Sequence, residues 1–338
     1  MPTRPVNLAV VGATGVAGRA ALELLPEADL DPSELRLLAS ERSKEERLEY
    51  DDEDLPVATL GTGSFQGLDL ALFFLPPELA REWAPRAWAA GCAVVDASRA
   101  FRSDPQVPLV APGLNPEAAA GFEAKGIAAV ATGAAAALAP VLAALSRAAG
   151  LEGLSATVLA PAAGMGRAGL VQLQTEAGDL MNGRDPEPGE VIPHRLAYNV
   201  VPQVGIFLPD GRTDEEAAVE TDLRRLLGQP ALRATATAIR VPVFYGLTVA
   251  ARIVTGRAMG AEAAREALRA AAGVKLVDRP GERIYPMPML SLNDDAVLVG
   301  RVRADEQARA VELIVTADDL RHAVSGAIRV GELVAAAR

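Results

Sequence analysis

The chain has 338 residues, half of them hydrophobic, and a formal net charge of −11. This length suits two domains, each with enough apolar sequence to build its own core. The negative charge disfavours nucleic acid and anionic membrane surfaces as partners, because such contacts need clustered Lys and Arg. No apolar run is long enough to span a bilayer, and the N-terminus leads directly into a strand pattern. We therefore expect a cytoplasmic protein with no membrane partner.

The residues that commonly bind metals or form disulfides are scarce. The chain has one cysteine, Cys92, and two histidines, His194 and His322. A single cysteine excludes an internal disulfide framework, and this set is too small for a Cys/His zinc site, so no metal is expected. Cys92 lies at a helix-to-strand turn and is interpreted as a small buried hydrophobe. Both histidines are interpreted as structural or surface residues.

The N-terminal part alternates short apolar runs with helical patterns. The predicted strands are Val6–Val11, Leu35–Leu38, Leu70–Phe74 and Ala93–Asp96, and the predicted helices are Arg19–Leu25 and Glu78–Ala90. This rhythm predicts a parallel, doubly wound α/β sheet of the Rossmann type. The strongly charged stretch Glu45–Asp54 is expected to be a solvated loop or an edge.

The pattern changes after the alanine-rich segment Val130–Pro140. Longer strands and two helices are predicted at Leu154–Leu159, Ala234–Pro242, Leu247–Val254, Ala296–Val302, Asp214–Leu227 and Ala261–Ala272. They indicate an α+β domain with a largely antiparallel or mixed sheet. A last helix, about Leu320–Ala337, is expected to pack back on the first domain. The predicted domains are therefore residues 1–130 with 320–338, and residues 131–319. Arg184–Gly189 is the clearest irregular connection.

A glycine-rich segment follows the first predicted strand and opens the first predicted helix. Gly12-Ala-Thr-Gly15-Val-Ala-Gly18 could hold a pyrophosphate on its backbone amides and on the helix N-terminus. The alternative is a structural strand-helix turn. The strand before it and the helix after it favour nucleotide binding, with Gly12, Thr14, Gly15 and Val16 as candidate contacts.

The second predicted strand ends where a dinucleotide-binding domain meets the adenosine ribose. The sequence there is Ala39-Ser40-Glu41-Arg42-Ser43. An acidic residue at this place suits NAD, whereas hydroxyl and cationic groups suit the 2′-phosphate of NADP. Ser40, Arg42 and Ser43 favour NADP, while Glu41 points the other way. A polar surface loop remains the alternative, since such residues are common in turns.

Ordered motifs along nearly the whole chain resemble those of the aspartate-semialdehyde dehydrogenase family. They are GATGVAG from Gly12 and the segments Leu35–Ser43, Ala100–Arg102, Gly164–Gly169, Ile192–Gln203, Arg240–Gly246 and Tyr285–Pro288. The resemblance implies a fold of a cofactor domain and a catalytic, dimer-forming domain. It also implies NADPH-dependent reduction of aspartyl phosphate through a cysteine thioester, with a histidine as acid and base.

The positions that carry this chemistry in the family are apolar here. Its cysteine falls on Ala134, its histidine on Leu247 and its thioester-orienting glutamine on Ala160. Neither Cys92 nor Thr132 is placed to take over, because an alcohol without an adjacent base is a poor nucleophile. The resemblance therefore extends to the Usg-type paralogues, which lack the catalytic cysteine, and no catalytic residue is predicted.

Some of the family's binding positions are retained. Arg240 matches the arginine that pairs with the substrate α-carboxylate, and Arg102 matches the phosphate-binding arginine. The family's nearby lysine falls on Ala218, beside Glu215 and Glu216, and Glu216 is taken as a third substrate-binding candidate. Without the resemblance, both arginines would be interpreted as surface or structural residues.

Other positions suggest that cofactor binding is weakened or lost. The family has a Ser-Ala-Gly-Gly turn against the cofactor, and this chain has Phe74-Leu-Pro-Pro77. Proline lacks an amide donor and fixes φ, so the backbone approaches a cofactor less closely. The family's nicotinamide-contacting asparagine falls near Ala327. NADP is therefore the expected dinucleotide, with reduced or no affinity.

Three hypotheses follow from these observations. The first is an inactive dehydrogenase-like protein that persists as a homodimer, with a dinucleotide or a small anionic ligand. The second is an NADP-dependent oxidoreductase acting on a small carbonyl or acyl substrate without a thioester; Tyr198 and Tyr245 are its loose candidates, although both are more simply core tyrosines. The third is an interaction module whose second-domain sheet, around Ile239–Tyr245, forms a dimer face.

Overall fold

The computed structural model describes residues 6–30, 32–189 and 191–338. The chain divides into two compact units, bounded by Met1–Thr132 with Ala323–Arg338 and by Gly133–His322. Each unit has its own sheet. Within the described residues, no helix combines the length and the apolar character needed to cross a bilayer.

The first unit contains an eight-stranded sheet among its described residues, in the order β3-β4-β2-β1-β5-β6-β8-β7. Its elements in chain order are β1 Val6–Val11, α1 Val16–Leu24, β2 Pro32–Ala39, β3 Arg47–Tyr50, β4 Glu53–Thr59, β5 Leu70–Phe73, α2 Pro77–Ala89, β6 Ala93–Asp96, β7 Leu109–Val110 and β8 Ile127–Val130. All neighbouring strands are parallel except β3 and β4. The chain reverses its direction of winding between β1 and β5, which is where such sheets form a ligand crevice.

The predicted doubly wound sheet is confirmed, with local differences. α1 begins directly after Gly15 rather than at Arg19, and Pro26 prevents it from continuing beyond the turn that follows it. The charged stretch Glu45–Asp54 forms the antiparallel β3–β4 pair, with β3 at the sheet edge. The strands themselves were not predicted, because alternating charged residues mask the buried positions Leu48 and Val57.

The second unit contains a six-stranded mixed sheet among its described residues, in the order β10-β9-β11-β14-β13-β12. Its elements are α3 Gly133–Ala149, β9 Gly153–Ala160, α4 Gly166–Met181, α5 Asp214–Leu226, β10 Arg233–Arg240, β11 Leu247–Val254, α6 Ala261–Arg269, β12 Val274–Leu276, α7 Pro288–Ser291, β13 Val297–Asp305 and β14 Ala310–Ala317. β9 pairs with β10 in parallel and with β11 antiparallel. The prediction of a mixed sheet is confirmed.

Three helices cover one face of this sheet. α5 packs on β10, α3 on β11 and β14, and α6 on β12 and β13. The alanine-rich segment begins α3, whose small side chains are buried along most of the helix. α4 was missed, because three glycines interrupt its pattern, and β14 was missed as well. The predicted strand Ala234–Pro242 ends two residues earlier, since Pro242 cannot donate to a ladder.

The last helix, α8, spans Asp319–Ala337. Residues from Ala323 onward belong to the first unit. Gly331 packs closely on Leu30, Leu70 and Leu72, and Arg338 donates to the carbonyl oxygens of Asp69 and Gly91. The C-terminal helix therefore returns to the first sheet, as its apolar pattern suggests.

Candidate functional site

The glycine loop after β1 combines tight packing with an open position. Gly12 has φ +87°, and a Cβ there would lie 2.3 Å from the carbonyl oxygen of Phe74. A Cβ on Gly18 would lie 2.2 Å from the carbonyl oxygen of Gly12. A Cβ on Gly15 would meet only that same oxygen, at 3.2 Å. Gly12 and Gly18 are therefore required by the fold, whereas the space beside Gly15 is open to a ligand.

The first turn of α1 is suited to an anion. Gly15 is its N-cap, so no side chain caps the helix, and its nine residues include no acidic side chain in the first turn. Uncapped amides and the helix dipole favour a phosphate at this end. The residues present thus fit the phosphates of a dinucleotide, which would lie against Thr14, Gly15 and Val16.

The turn after β2 lies beside the glycine loop. The Thr14 Oγ1 and Ser43 Oγ atoms are 3.1 Å apart and share a hydrogen bond. Ser43 is buried, while Ser40 and Arg42 are exposed. The structure therefore brings together the two sequence segments predicted to bind the cofactor, and Arg42 is available to an anionic ligand.

The loop after β5 offers fewer amides. Pro76 is the N-cap of α2 and Pro77 its first residue, so two successive positions have no N–H to donate. The Phe74 amide is already bonded to the carbonyl oxygen of Val11, at 2.9 Å. Ala327 is fully buried on α8. These features agree with reduced cofactor affinity, which remains a prediction.

Three of the residues singled out in the second unit lie side by side at one end of its sheet. Arg240 pairs with Ala160, and the β9–β11 register places Leu247 next to Ala160 on the other side. Ala160 and Leu247 are 6% and 3% exposed, and Ala134, at the start of α3, is 1% exposed. The side chains of Ala134, Ala160 and Leu247 cannot act as a nucleophile, a base or an amide donor.

Arg240 is buried, at 5% exposure, so of the surface and structural alternatives only the structural one fits its position. Its Nη1 donates to the carbonyl oxygen of Pro161. The same Nη1 atom lies 3.0 Å from the position that a Cβ on Gly164 would take. The glycine therefore makes room for the guanidinium. Burial raises the pKa of Asp319 to about 6, against the charge of Arg240, which lowers it. Neither the burial of Arg240 nor the raised pKa of Asp319 was predicted from the sequence.

Glu216 is committed to local structure. Thr213 and Glu216 form a capping box at the start of α5, in which Glu216 Oε2 accepts from the Thr213 amide at 2.7 Å. The other oxygen accepts from the Ala238 amide at 2.8 Å. One carboxylate oxygen thus caps α5 and the other ties α5 to β10, a geometry that does not favour the predicted role of Glu216 in binding substrate.

Arg102 is also buried, at 5% exposure, which again excludes a surface role. Its Nε donates to the carbonyl oxygen of Ser98 and its Nη2 to Thr132 Oγ1. Asp96, at the end of β6, accepts from the amide and hydroxyl of Ser98. Burial raises the pKa of Asp96 to about 6, opposed by these hydrogen bonds and by the charge of Arg102. The apolar run before Asp96 is the sequence signal that could have identified this buried carboxyl.

The remaining candidate nucleophiles and acids are not arranged for catalysis. Cys92 is fully buried, and desolvation raises the pKa of its thiol to about 12. His194 is exposed, and burial lowers the pKa of His322. Tyr198 and Tyr245 are exposed rather than core residues, since both lie in loops of the second unit. Among the described residues, no group of three His, Cys, Asp or Glu side chains could hold a metal ion.

The two units match two family models. Residues 7–122 match the semialdehyde dehydrogenase NAD binding domain, and residues 142–322 match the semialdehyde dehydrogenase dimerisation domain. The fold and the glycine loop thus define a protein of the two-domain semialdehyde dehydrogenase class, with an NAD(P)-binding Rossmann-like domain.

Individual relatives narrow this class. The chain is 34% identical to aspartate-semialdehyde dehydrogenase of Aquifex aeolicus over 97% of both sequences, and 35% identical to that of Mycolicibacterium smegmatis over 98% of this chain and 99% of the relative. The crystal structure of aspartate semialdehyde dehydrogenase II from Vibrio cholerae is similar, with a TM-score of 0.93, 32% identity and 98% coverage of each chain. The chain belongs to the aspartate-semialdehyde dehydrogenase family.

Proposed function

We propose that this chain is a member of its family that does not perform the thioester reaction and instead works as a binding protein. It corresponds in this respect to the Usg-type paralogues. The observation that carries the proposal is the buried apolar character of Ala134, Ala160 and Leu247. One lost residue could be replaced by a neighbour, but here nucleophile, base and orienting amide are all missing.

Other thiols and hydroxyls do not compensate for these losses. With a pKa of about 12, Cys92 is almost entirely protonated near neutral pH, and a thiol attacks as its thiolate. The Thr132 hydroxyl is bonded to Arg102, a cation that cannot accept its proton. In the part of the chain that the structure describes, neither Cys92 nor Thr132 is therefore an activated nucleophile.

The proposed binding function rests on what the two units retain. The open position beside Gly15, with Thr14 and the exposed Arg42, supports a dinucleotide of the NADP type, held more weakly because of Pro76 and Pro77. The buried Arg240 supports a small carboxylate ligand. Bound NADP would supply hydride chemistry, but the one thiol of the chain, Cys92, is buried and protonated and so could not carry an acyl group.

We also propose a homodimer formed through the second unit, in line with its match to the dimerisation domain model. The sheet face opposite the helices carries small side chains that are exposed or half-buried: Ser155, Thr157, Thr235, Thr237, Thr248 and Ala250. Exposed apolar side chains follow in the loops: Tyr198, Ile206, Phe207, Phe244 and Tyr245. A flat face of this kind suits symmetric, sheet-to-sheet association.

The test is phosphate-dependent oxidation of aspartate semialdehyde with NADP, measured as NADPH absorbance. We expect the purified chain to match the blank without protein, while the Vibrio cholerae enzyme is assayed alongside. Turnover that copurifies with the chain and disappears in Arg240→Ala would contradict the proposal. Turnover that persists in that variant would indicate a contaminant.

A reductase that avoids the thioester is the weaker alternative. Such a reductase needs an acid beside the substrate carbonyl. Its two candidates, Tyr198 and Tyr245, are exposed in loops. Within the described residues, neither tyrosine forms a hydrogen bond with a Lys or an Asp. The geometry offers no observation in its favour.

A further inference from the structure

The turn after β2 contains groups with opposite dinucleotide preferences. Glu41 opens this turn, where an acidic residue typically accepts a hydrogen bond from the ribose 2′-hydroxyl of NAD. A carboxylate facing that position would repel the 2′-phosphate of NADP. Arg42 and Ser43, the next two residues, suit the phosphate instead. The side chain that faces the ribose therefore decides which dinucleotide is preferred.

The Glu41 carboxylate is held on the β4 side of the turn. Thr59 Oγ1 donates to Glu41 Oε2 at 2.7 Å, and Lys44 Nζ lies 3.2 Å from Glu41 Oε1. Thr59 ends β4 and pairs directly with Ala39, the last residue of β2. In the sheet, β2 lies between β4 and β1, and the glycine loop follows β1. The two bonds thus direct the carboxylate away from the glycine loop.

The last residue of the turn faces the glycine loop with a neutral group. Ser43 contacts Thr14, at 3.1 Å between the hydroxyl oxygens, and the residue before it, Arg42, is exposed to solvent. The hydrogen bond from Thr59, followed by the contacts with Lys44, lowers the pKa of Glu41. One short turn therefore separates its negative group from its phosphate-compatible groups.

We propose that Thr59 is a specificity-determining residue, which restrains Glu41 and so makes the adenosine part of the site select a 2′-phosphate over a free 2′-hydroxyl. This inference rests on the adenosine part of the proposed dinucleotide site still binding its ligand. Thr59 itself acts through Glu41 and is a positioning residue. Without the Thr59 hydroxyl, Glu41 can turn towards the ribose and reduce the preference.

The test uses two fragments that occupy only the adenosine part of the site, adenosine 2′,5′-bisphosphate and AMP. Their dissociation constants are measured by calorimetry for the full chain and its variants. We expect a preference for the bisphosphate that falls about tenfold in Thr59→Val, an isosteric change, because a carboxylate then competes with the phosphate. Glu41→Gln alone should change the preference little, and T59V/E41Q should restore it.

Further variants keep the test decisive. Glu41→Asp shortens the side chain so that it cannot reach Thr59, and we expect it to lower the preference as well. This variant replaces Thr59→Val in the test if thermal melting shows that Thr59→Val does not fold. Arg42→Ala should weaken the bisphosphate and leave AMP unchanged. An unaltered preference in both Thr59→Val and Glu41→Asp, or no preference in the natural chain, would overturn the inference.

The outcomes also separate this inference from the proposed function. If the fragments bind with the expected preference but NADP does not bind, the inference stands and dinucleotide retention fails. If NADP binds but Thr59→Val leaves the fragment preference unchanged, this inference alone fails. If neither fragment binds, both fail. Turnover in the semialdehyde assay bears on the proposed inactivity and not on Thr59.

Discussion

At the scale of single residues, two glycines within helices have opposite requirements. Gly18, in α1, has no room for a Cβ, because backbone atoms of Gly12 and Ala13 lie 2.2 and 2.6 Å from its ideal position. Gly178, in α4, has no atom within 4 Å of that position. The first glycine fixes the contact between α1 and the loop after β1, while the second weakens its helix without a packing reason.

We expect Gly18→Ala and Gly178→Ala to change stability in opposite directions. Gly178→Ala should raise the free energy of unfolding by about 0.5–1 kcal/mol, since alanine has the better helix propensity. Gly18→Ala should lower it by about 2 kcal/mol or more, because rigid backbone has to move. Urea unfolding of the two variants measures both effects. A higher free energy of unfolding in Gly18→Ala would contradict this expectation, because it would show that the loop after β1 moves at little cost.

The two arginines matched to the family also show what burial changes. Arg240 and Arg102 each donate to a backbone carbonyl oxygen, and the charge of each opposes the desolvation that raises the pKa of a carboxyl group to about 6, that of Asp319 and that of Asp96 respectively. Since both carboxyl groups are strongly desolvated, the charges of the arginines offset only part of the burial cost. Their retention is therefore compatible with a binding role as well as with a structural one.

At the scale of elements, α4 holds a long irregular segment in place. Glu176 on α4 is 3% exposed, and its Oε2 accepts from the amides of Leu196 and Ala197 at 2.7 and 2.8 Å. Gln172, one turn earlier, bonds to Glu176 Oε1 and to the backbone of Ile192. Leu196 and Ala197 then pack with Leu173 in a small core. The buried Glu176 carboxylate thus accepts backbone amides that a neighbouring β-strand would otherwise pair with.

Glu176→Ala is expected to destabilise the second unit by about 3 kcal/mol, because it leaves two buried amides without an acceptor. Glu176→Gln keeps one oxygen and should cost less. The matched control is Glu266→Ala on α6, an exposed position, where the change should stay within about 0.5 kcal/mol. Urea unfolding gives all three values. Equal midpoints for Glu176→Ala and Glu266→Ala would contradict the role assigned to the buried carboxylate.

At the scale of the whole molecule, association is the property that the second unit points to. Its helices cover one side of the sheet, and the other side exposes a flat set of small residues centred near Thr237 on β10 and Thr157 on β9, which pair directly. This part of the chain matches the dimerisation domain model. Two copies related by a twofold axis would bury the same face on both.

We expect a dimer by light scattering at micromolar concentration. Thr237→Arg should shift it to a monomer, because a charge would be buried without a partner at the centre of the face. Thr221→Arg, the same change on the exposed side of α5, is the control and should leave the dimer intact. Circular dichroism checks that both variants are folded. A natural chain that is monomeric at this concentration would remove the proposed dimer.

The sequence by itself determined the class of fold and the positions on which the proposed loss of the thioester reaction rests. Regular alternation of apolar runs and the glycine segment defined the first sheet, because these signals are local and repeat at the strand and helix periods. The matched positions Ala134, Ala160 and Leu247 need no coordinates to be recognised as chemically inert. Charged strands such as β3 and the glycine-interrupted helix α4 were not predicted from the sequence, because their burial depends on distant partners.

Tertiary structure alone decided which groups meet and which way they point. Pairing of β9 with β10 and β11 brings Arg240, Ala160 and Leu247 to one sheet end, although they are distant in sequence. Burial of both arginines, exposure of Tyr198 and the bond from the Ala238 amide to Glu216 all result from long-range packing. Glu41 is the clearest case: its residue type suggests NAD, but its bond to Thr59 on a neighbouring strand sets its direction. Composition cannot encode that direction, because it depends on the register between β2 and β4.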